Sequence, residues 1–522
     1  MKSIRNLVLV LGDQLNHDSA VFDDFDRDTD RVWMAENQEE ATHVWCHKYR
    51  LVAFFAPMRH FRDELRGKGR EVLYHELPVD GRKARTSSFA SVLADTLETV
   101  KPERLVVVQP GDHRVQTELT RVAADHDSEL EIREDRHFFC TTERFEAWAK
   151  DRKSMVLEQF YRVMRKEHDV LIDGDGSPVG GEWNFDKDNR GSFGKSGPGE
   201  IADPVRFEID DVTRRVIDLV GSRFSDHPGE VSAESFDLPV NRRQAMKLLR
   251  DFVKHRLNHF GDYQDAMWTG ERFLYHSRLS HAINLHLLSP REVVDAVVEA
   301  YHDDAAPLNA VEGFVRQILG WREYVRGIYW LKMPEYATRN ALHCDTDQDV
   351  PSFFWDGETE MACVRDAMRL LIRTGYAHHI QRLMVLGLFA QLYGTHPAKF
   401  HDWHMAMYND AIDWVSLPNA LGMSQYGDGG VMATKPYCAT GKYIKRMSNH
   451  CQGCRYQPDE AVGEDACPFT TLYWDFLDRH RDEFRNNNRM ALQIKNVEKK
   501  STETMEAIRQ RAHRIRRGEV SL

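Results

Sequence analysis

The chain has 522 residues, 42% of them hydrophobic and 29% charged, with a formal net charge of -12. That length calls for about two to four domains, and the composition excludes a disordered chain. The excess of acid argues against a protein that coats nucleic acid without selectivity, while leaving room for a local basic groove.

RNLVLVL (5–11) is a short apolar run closed by Gly12 and Asp13 without a small-residue cleavage site, so it reads as a buried strand rather than a signal peptide. No apolar stretch approaches the ~20 residues that span a bilayer, and a soluble, cytoplasmic protein with no membrane partner is expected. Further short apolar runs at 51–53, 71–74, 104–108 and 129–132 are separated by helix-length segments. They predict βαβ units around a parallel sheet in residues 1–135. Ligands of such sheets sit beyond the strand C-termini, where Gly12, Asp13 and Gln14, and Pro110, Gly111 and Asp112, fall.

Residues 136–235 lose periodicity and read as a long linker, with 172–199 rich in Gly, Asp and Asn. Residues 236–490 read as a large helical domain, as at 310–330 and 376–393, and no internal repeat is visible. A basic helical extension, 491–522, contains RQRAHRIRR (509–517), readable equally as a DNA contact or as a solvated helix face. Eleven Trp and seventeen Tyr suit helical cores, and also stacking on aromatic ligands or electron hopping.

Three of the eight cysteines form Cys451-x2-Cys454-x12-Cys467, followed by Pro468. This spacing suggests metal binding rather than disulfides, and suits an iron–sulfur cluster or zinc. Spacing leaves the fourth ligand open among Cys344, Cys363, Cys438 and a histidine.

GYAHHIQR (375–382) places His378 and His379 side by side on a helical segment, about 100° apart, so at most one faces a given pocket. Histidine is the side chain suited to donating a proton near neutrality. The hydroxyls of YHSRLS (275–280) and LLSPREV (287–293) suit a phosphate at a helix start, or simple capping.

HSRLS, LLSPREV, WREY (321–324) and HHIQR (378–382) together resemble the flavin-binding domain of photolyases and cryptochromes, and HHIQR resembles the paired histidines of eukaryotic (6-4) photolyases. LVLVLGDQL (7–15), PMRHF (57–61), GGEWNFDKDNR (180–190), GMSQYGDGG (422–430), KPY (435–437) and the CxxC…CP run resemble the iron–sulfur bacterial cryptochromes and photolyases. The resemblance runs in order along essentially the whole chain.

It implies the photolyase/cryptochrome fold: an α/β antenna domain with a Rossmann-like parallel sheet, a linker and an all-α FAD domain. The implied function is light-driven repair of (6-4) photoproducts in DNA, single- or double-stranded, by a monomer. Alternatives are a photoreceptor of the same fold without repair, and a cluster-containing nucleic-acid binder without photochemistry. FAD is expected near His276, Ser277, Arg278, Leu279, Ser280 and Gln317, with Arg382 paired to Asp410 and Ser416 facing flavin N5. His379 matches the proton donor, with His378 beside it, and Leu383 replaces the family's other histidine. Tyr437 and Tyr443 match lesion-pocket tyrosines, and Asp186 a lesion-side or divalent-ion (Mg2+) contact. Cys363 matches the fourth ligand of a [4Fe–4S] cluster with Cys451, Cys454 and Cys467. Gly12, Asp13, Gln14 and Glu40 match the pocket of a 6,7-dimethyl-8-ribityllumazine antenna. Trp355 and Trp403 match two members of a photoreduction chain whose third, often tyrosine, is His404 here, with Trp414 as a substitute.

Overall fold

The computed structural model describes residues 4–79 and 88–522. Five parallel strands, β1 (Asn6–Leu9), β2 (Arg31–Ala35), β3 (Val72–His75), β4 (Arg104–Val108) and β5 (Glu129–Arg133), stand in the order β3-β2-β1-β4-β5. Val8 registers with Val32 on one side and Val106 on the other. The chain steps outward from β1 in one direction and then in the other, which opens a crevice at the C-terminal ends of β1 and β4. Alternation divides the core. Leu7, Leu9, Trp33, Leu105 and Val107 pack under helices on one face. Val8, Val10, Val32, Met34, Val106 and Val108 join the larger core that continues into the helical half.

One expected strand is a helix. Residues 51–53 lie inside Lys48–Gly67, and the neighbour of β1 is β2 instead. Three apolar residues do not separate strand from helix. Here Leu51, Val52, Phe55 and Met58 are buried at helical spacing, whereas β2 announces itself only through Trp33 and Met34.

The 136–235 stretch holds three helices, Thr142–Ala149, Leu157–Glu167 and Asp211–Arg223, the last packed on Lys48–Gly67. The segments between them are irregular, and 172–199 is strapped down. Fully buried Asn189 donates from Nδ2 to Asn309 O (3.1 Å), and Asn309 Nδ2 donates back to Asn189 Oδ1 (3.1 Å). The Phe185 N–H donates to Glu312 Oε2 (3.1 Å), and the Gly191 N–H to Asp262 O (2.9 Å).

From Arg242 onward the chain is helical, but the 310–330 and 376–393 patterns are not single α-helices. Leu308–Val315 passes through a π-helical stretch, Arg316–Arg322, into Glu323–Lys332. His379–Gln381 passes through another, Arg382–Gly387, into Leu388–Tyr393, and a third, Pro418–Ser424, follows Asp413–Leu417.

The basic tail forms the helix Thr502–Arg516, docked on Pro468–Arg479. Its cations are largely committed within the protein. Arg509 bonds Asp478 (2.7 Å), Arg516 pairs with Asp475, and Arg511 donates to Glu464 O (3.1 Å) and Ala466 O (2.9 Å). No helix among the described residues is long and apolar enough to cross a membrane.

Candidate active site

A cavity of about 1170 Å³ opens in the helical half, and all three π-helical stretches contribute to its wall. A π turn carries an extra residue and re-aims the side chains beyond it, a device frequent at functional sites. Two of the three approach so closely that a Cβ on Gly387 would lie 2.2 Å from Ser424 Oγ and 2.7 Å from Arg382 O. Only glycine fits there.

His276, Ser277, Arg278, Leu279, Ser280, Gln317, Arg382, Asp410 and Ser416, residues scattered over 140 positions, all reach this wall. Arg382 forms a two-pronged pair with Asp410, Nη1–Oδ1 2.9 Å and Nη2–Oδ2 3.1 Å, and its Nε donates to Ala377 O (2.6 Å). Ser280 Oγ donates to Asp410 Oδ2 (2.5 Å). Burial pushes the Asp410 carboxyl up, but the Arg382 guanidinium and the hydrogen bonds from Arg382 and Ser280 outweigh it and hold it below the usual carboxylate range. Arg278 sits at φ 59°, a conformation that non-glycine residues rarely adopt, and bonds Asp237 Oδ1 (2.5 Å). Its Nε and Nη1, the Ser416 hydroxyl and His276 Nε2 are buried without a hydrogen-bond partner.

Gly375, at φ 61°, ends the helix Ala362–Thr374 and turns the chain into the histidine pair. The expected helix takes in only the second histidine: His378 is the extended cap before His379–Gln381, and that change of backbone conformation between them parts the two rings. His378 is buried and stacks on His276 (4.4 Å, 11° between planes), with both ring nitrogens unpartnered, while His379 lines the cavity. The His378 and His276 rings are held neutral, burial pulling the latter down to about 3. Surrounding protein and then the Arg382 guanidinium lower the His379 pKa to about 4. That ring opens onto the cavity.

Tyr437, Tyr443, Leu383 and Asp186 also reach the wall. Asp186 is ion-paired with Arg316, which ties the linker to the first π-helical stretch. Four cations on this wall, Arg190, Lys435, Arg446 and Arg489, escaped functional assignment from sequence. Arg190 and Lys435 stand inside quoted motifs, but Arg446 and Arg489 carry no local signal.

His404 lines the cavity, whereas Trp403 and Trp355 do not. Burial drives the His404 pKa well down, and its ring lies 4.4 Å from Tyr408. Trp403 is buried, and Trp414 is packed edge-on to Phe138 at 5.2 Å.

A smaller cavity of about 180 Å³ lies where the strand C-termini meet the helical half, with Gly12, Asp13 and Glu40 on its wall beside Asp112 and Arg114. Gln14 is not on it; its amide donates to Val108 O (3.3 Å) and Gln109 O (3.2 Å), binding the ends of β1 and β4 together. Arg114 holds Glu40 through both nitrogens (2.8 Å each). Burial raises the Asp13 carboxyl to about 7.

Cys363, in the first turn of Ala362–Thr374, faces Cys451 and Cys454 on and after the turn His450–Gly453, and Cys467, which precedes Pro468–Arg479. None is in a disulfide. Burial and the three neighbouring thiols drive the Cys363 pKa far up. Among the described residues no three His, Cys, Asp or Glu side chains close on a single-ion site.

Residues 8–236 match the family model "Deoxyribodipyrimidine photo-lyase-related protein". A protein of Agrobacterium fabrum (strain C58) named "(6-4) photolyase" is 43% identical over 487 residues, 93% of this chain and 94% of its own. Among solved structures, a bacterial class III photolyase from Agrobacterium tumefaciens superposes with a TM-score of 0.56 at 14% identity, covering 97% of this chain and 92% of that one. The cryptochrome of Synechocystis sp. PCC6803 gives 0.52 at 14% identity, covering 86% and 89%. Both likenesses are of fold. With its parallel sheet, its helical cavity and this degree of identity over nearly its whole length, the chain belongs to the photolyase/cryptochrome superfamily and, within it, to the bacterial (6-4) photolyase family.

Proposed function

We propose that the protein repairs (6-4) photoproducts in DNA in a light-driven reaction, with FAD in the large cavity. The observation that carries this reading is one wall that unites residues 276–280, the Arg382–Asp410 pair, His379 and the Tyr437/Tyr443 rim. Buried polar atoms seldom remain unpaired. The free nitrogens of Arg278 and His276 and the Ser416 hydroxyl therefore suit a large polar ligand such as the flavin dinucleotide. Reduced flavin, when bound, supplies the photoexcited electron that lesion rearrangement needs.

The chain's own residues do the rest. Ser277, Arg278, Ser280 and Gln317 hold the cofactor, and Asp410, kept ionised by Arg382, sets a fixed field beside it. Arg190, Lys435, Arg446 and Arg489 receive backbone phosphates as the lesion flips out of its strand, and Tyr437 and Tyr443 pack against it. His379 delivers the proton to the lesion. Burial and Arg382 favour its neutral ring, and the field of the incoming phosphates raises its pKa so that it can carry that proton. Asp186, ion-paired with Arg316, fastens the linker on the lesion side.

The four neighbouring thiols, with Cys451-x2-Cys454 and Cys467-Pro468 among them, suit a [4Fe–4S] cluster. The smaller cavity, with Asp13 and Glu40, suits a lumazine-type antenna. Because every residue named comes from one chain, a monomer suffices. The deciding test illuminates the reduced protein with DNA carrying one (6-4) photoproduct, beside a cyclobutane-dimer control. Light-dependent restoration of the (6-4) substrate alone is expected; no turnover with flavin bound would mean a photoreceptor.

A further inference from the structure

Arg511 is the most buried cation of the last helix, Thr502–Arg516, at 9% relative exposure. Its neighbours Arg509 and Arg516 reach Asp478 and Asp475, but Arg511 has no carboxylate partner among the described residues. Its Nη2 donates instead to two carbonyls of the loop between Cys454 and Cys467, Glu464 O (3.1 Å) and Ala466 O (2.9 Å). Its Nε is buried without a hydrogen-bond partner. Ala466 immediately precedes Cys467. The groups that favour the Arg511 charge are the Tyr456 phenol and the Cys467 thiol, against the like charges of Arg514 and Arg455. The same loop is held at its other end by the tail. Gly518, at φ 68°, turns the chain after the helix, the Tyr456 hydroxyl donates to Ser521 O (2.9 Å), and Val520 and Leu522 pack on the core. Within the loop, the Gln457 N–H donates to Asp465 O (2.7 Å) and the Cys467 N–H to Gln457 O (3.2 Å). The C-terminal extension thus grips both ends of the segment that carries Cys454 into Cys467.

We propose that Arg511 is the buried counter-cation of the four-cysteine site, a positioning residue through which the C-terminal helix takes part in holding the cluster. The proposal rests on Cys363, Cys451, Cys454 and Cys467 being the ligands of one cluster. Cysteines bind metal as thiolates, and four thiolates outweigh the positive charge of the core they hold, so the loaded site is anionic. A buried charge with no counter-charge is costly, and Arg511 has no acid beside it. An anionic site one residue beyond its carbonyl partner supplies the missing charge. The guanidinium suits this place better than an exposed cation would, because it is weakly hydrated and gives up its water readily. In return its positive field favours the thiolate set, and its two bonds fix the backbone that leads into Cys467. Charge and strap are separable roles. A strap alone needs only a donor of the right length, whereas a counter-cation needs the charge itself.

Arg511→Gln keeps an N–H donor for the loop carbonyls and removes the charge, while Arg511→Lys keeps the charge. Arg511→Met fills the same space with neither, and serves as a second neutral variant if the Gln protein is poorly recovered. Each is purified as the full chain and compared with the wild type, after assay of iron and acid-labile sulfide, by the rate at which an excess of iron chelator removes the metal. Arg511→Gln and Arg511→Met are expected to release iron about tenfold faster than the wild type, the scale of loss when a group supporting a metal ligand is removed. Arg511→Lys is expected to hold its iron nearly as the wild type does. Tyr456→Phe, which removes only the bond to Ser521, is expected to leave the release rate unchanged, separating a loosened tail from a lost charge. Equal release from the Gln and Lys variants would reduce Arg511 to a backbone strap, and wild-type release from the Gln and Met variants would remove it from the site. Either result overturns the proposal. Absence of iron and sulfide from the wild type would refute the ligand set itself, a failure distinct from retention of the cluster in every variant.

Discussion

Asp410→Asn isolates the charge at the centre of the large cavity while keeping the side chain's shape. The carboxylate accepts two bonds from Arg382 and one from Ser280, and the side chains of the pair are 6% and 19% exposed. Removing one partner of a buried ion pair costs about 3–5 kcal/mol, because the remaining charge stays buried without compensation. The residual exposure of Arg382 toward the cavity places the cost near the lower end, about 3 kcal/mol, or about a hundredfold in the unfolding equilibrium. Urea unfolding of flavin-free protein, followed by the helical circular dichroism signal, measures it. Arg382→Gln in the same background should return part of that loss, giving a coupling of about 2 kcal/mol, since the neutral pair leaves no stranded guanidinium. Flavin retention during gel filtration should fall in the single variant. A single-variant cost below about 1 kcal/mol, or strict additivity in the double variant, would refute the reading of Asp410 as an ionised, Arg382-bound carboxylate.

His379→Ala is expected to abolish (6-4) repair with flavin still bound, as judged by absorbance; surviving turnover would remove it as proton donor. Gly387→Ala forces a Cβ against Ser424 Oγ and Arg382 O, so the two π-helical stretches must part, lowering flavin occupancy and costing about 1–3 kcal/mol, read by urea unfolding. Cys454→Ser should lose iron, by metal analysis, together with soluble yield; retention of both would break the proposed ligand set. Acid should destabilise the fold through its buried neutral histidines. His47 and His281 have folded pKa values of about 4, depressed by burial, so the unfolded chain binds more protons once pH drops below about 6.5. Stability is then lost from there down to about pH 4, by about 3 kcal/mol per histidine at full effect, visible as a falling thermal midpoint across that window.

The order of the motifs, the parallel sheet in the first 135 residues and the helical character of the rest were legible in the sequence, because each rests on local periodicity and local chemistry. The conversion of 51–53 from expected strand to helix, and the missed β2, mark where that legibility ends. A three-residue apolar run has no period, and a strand whose signal is Trp33 and Met34 looks like any buried segment. The linker was read as irregular along its whole length because its helices are short, and their apolar faces make sense only against Lys48–Gly67 and the first π-helical stretch.

The site residues were named from resemblance, yet their assembly is a tertiary fact. Arg382 and Asp410 are 28 positions apart, Ser280 and Asp410 are 130 apart, and no spacing rule joins them. The π turns that aim Gln317, Arg382 and Asn419 inward leave no mark on hydrophobic periodicity beyond blurring it. Whether a charged residue is free for a ligand or spent on the protein is likewise settled only in three dimensions. The basic tail read equally as a DNA contact or a solvated helix face and is bound largely to Asp475, Asp478 and backbone carbonyls, while unremarked Arg446 and Arg489 face the cavity. The sequence by itself determined which chemistry-bearing residues exist and which segments are helix or strand. Only the tertiary structure decided which of them meet, because burial, pairing and the distances between charges are properties of packing rather than of order along the chain.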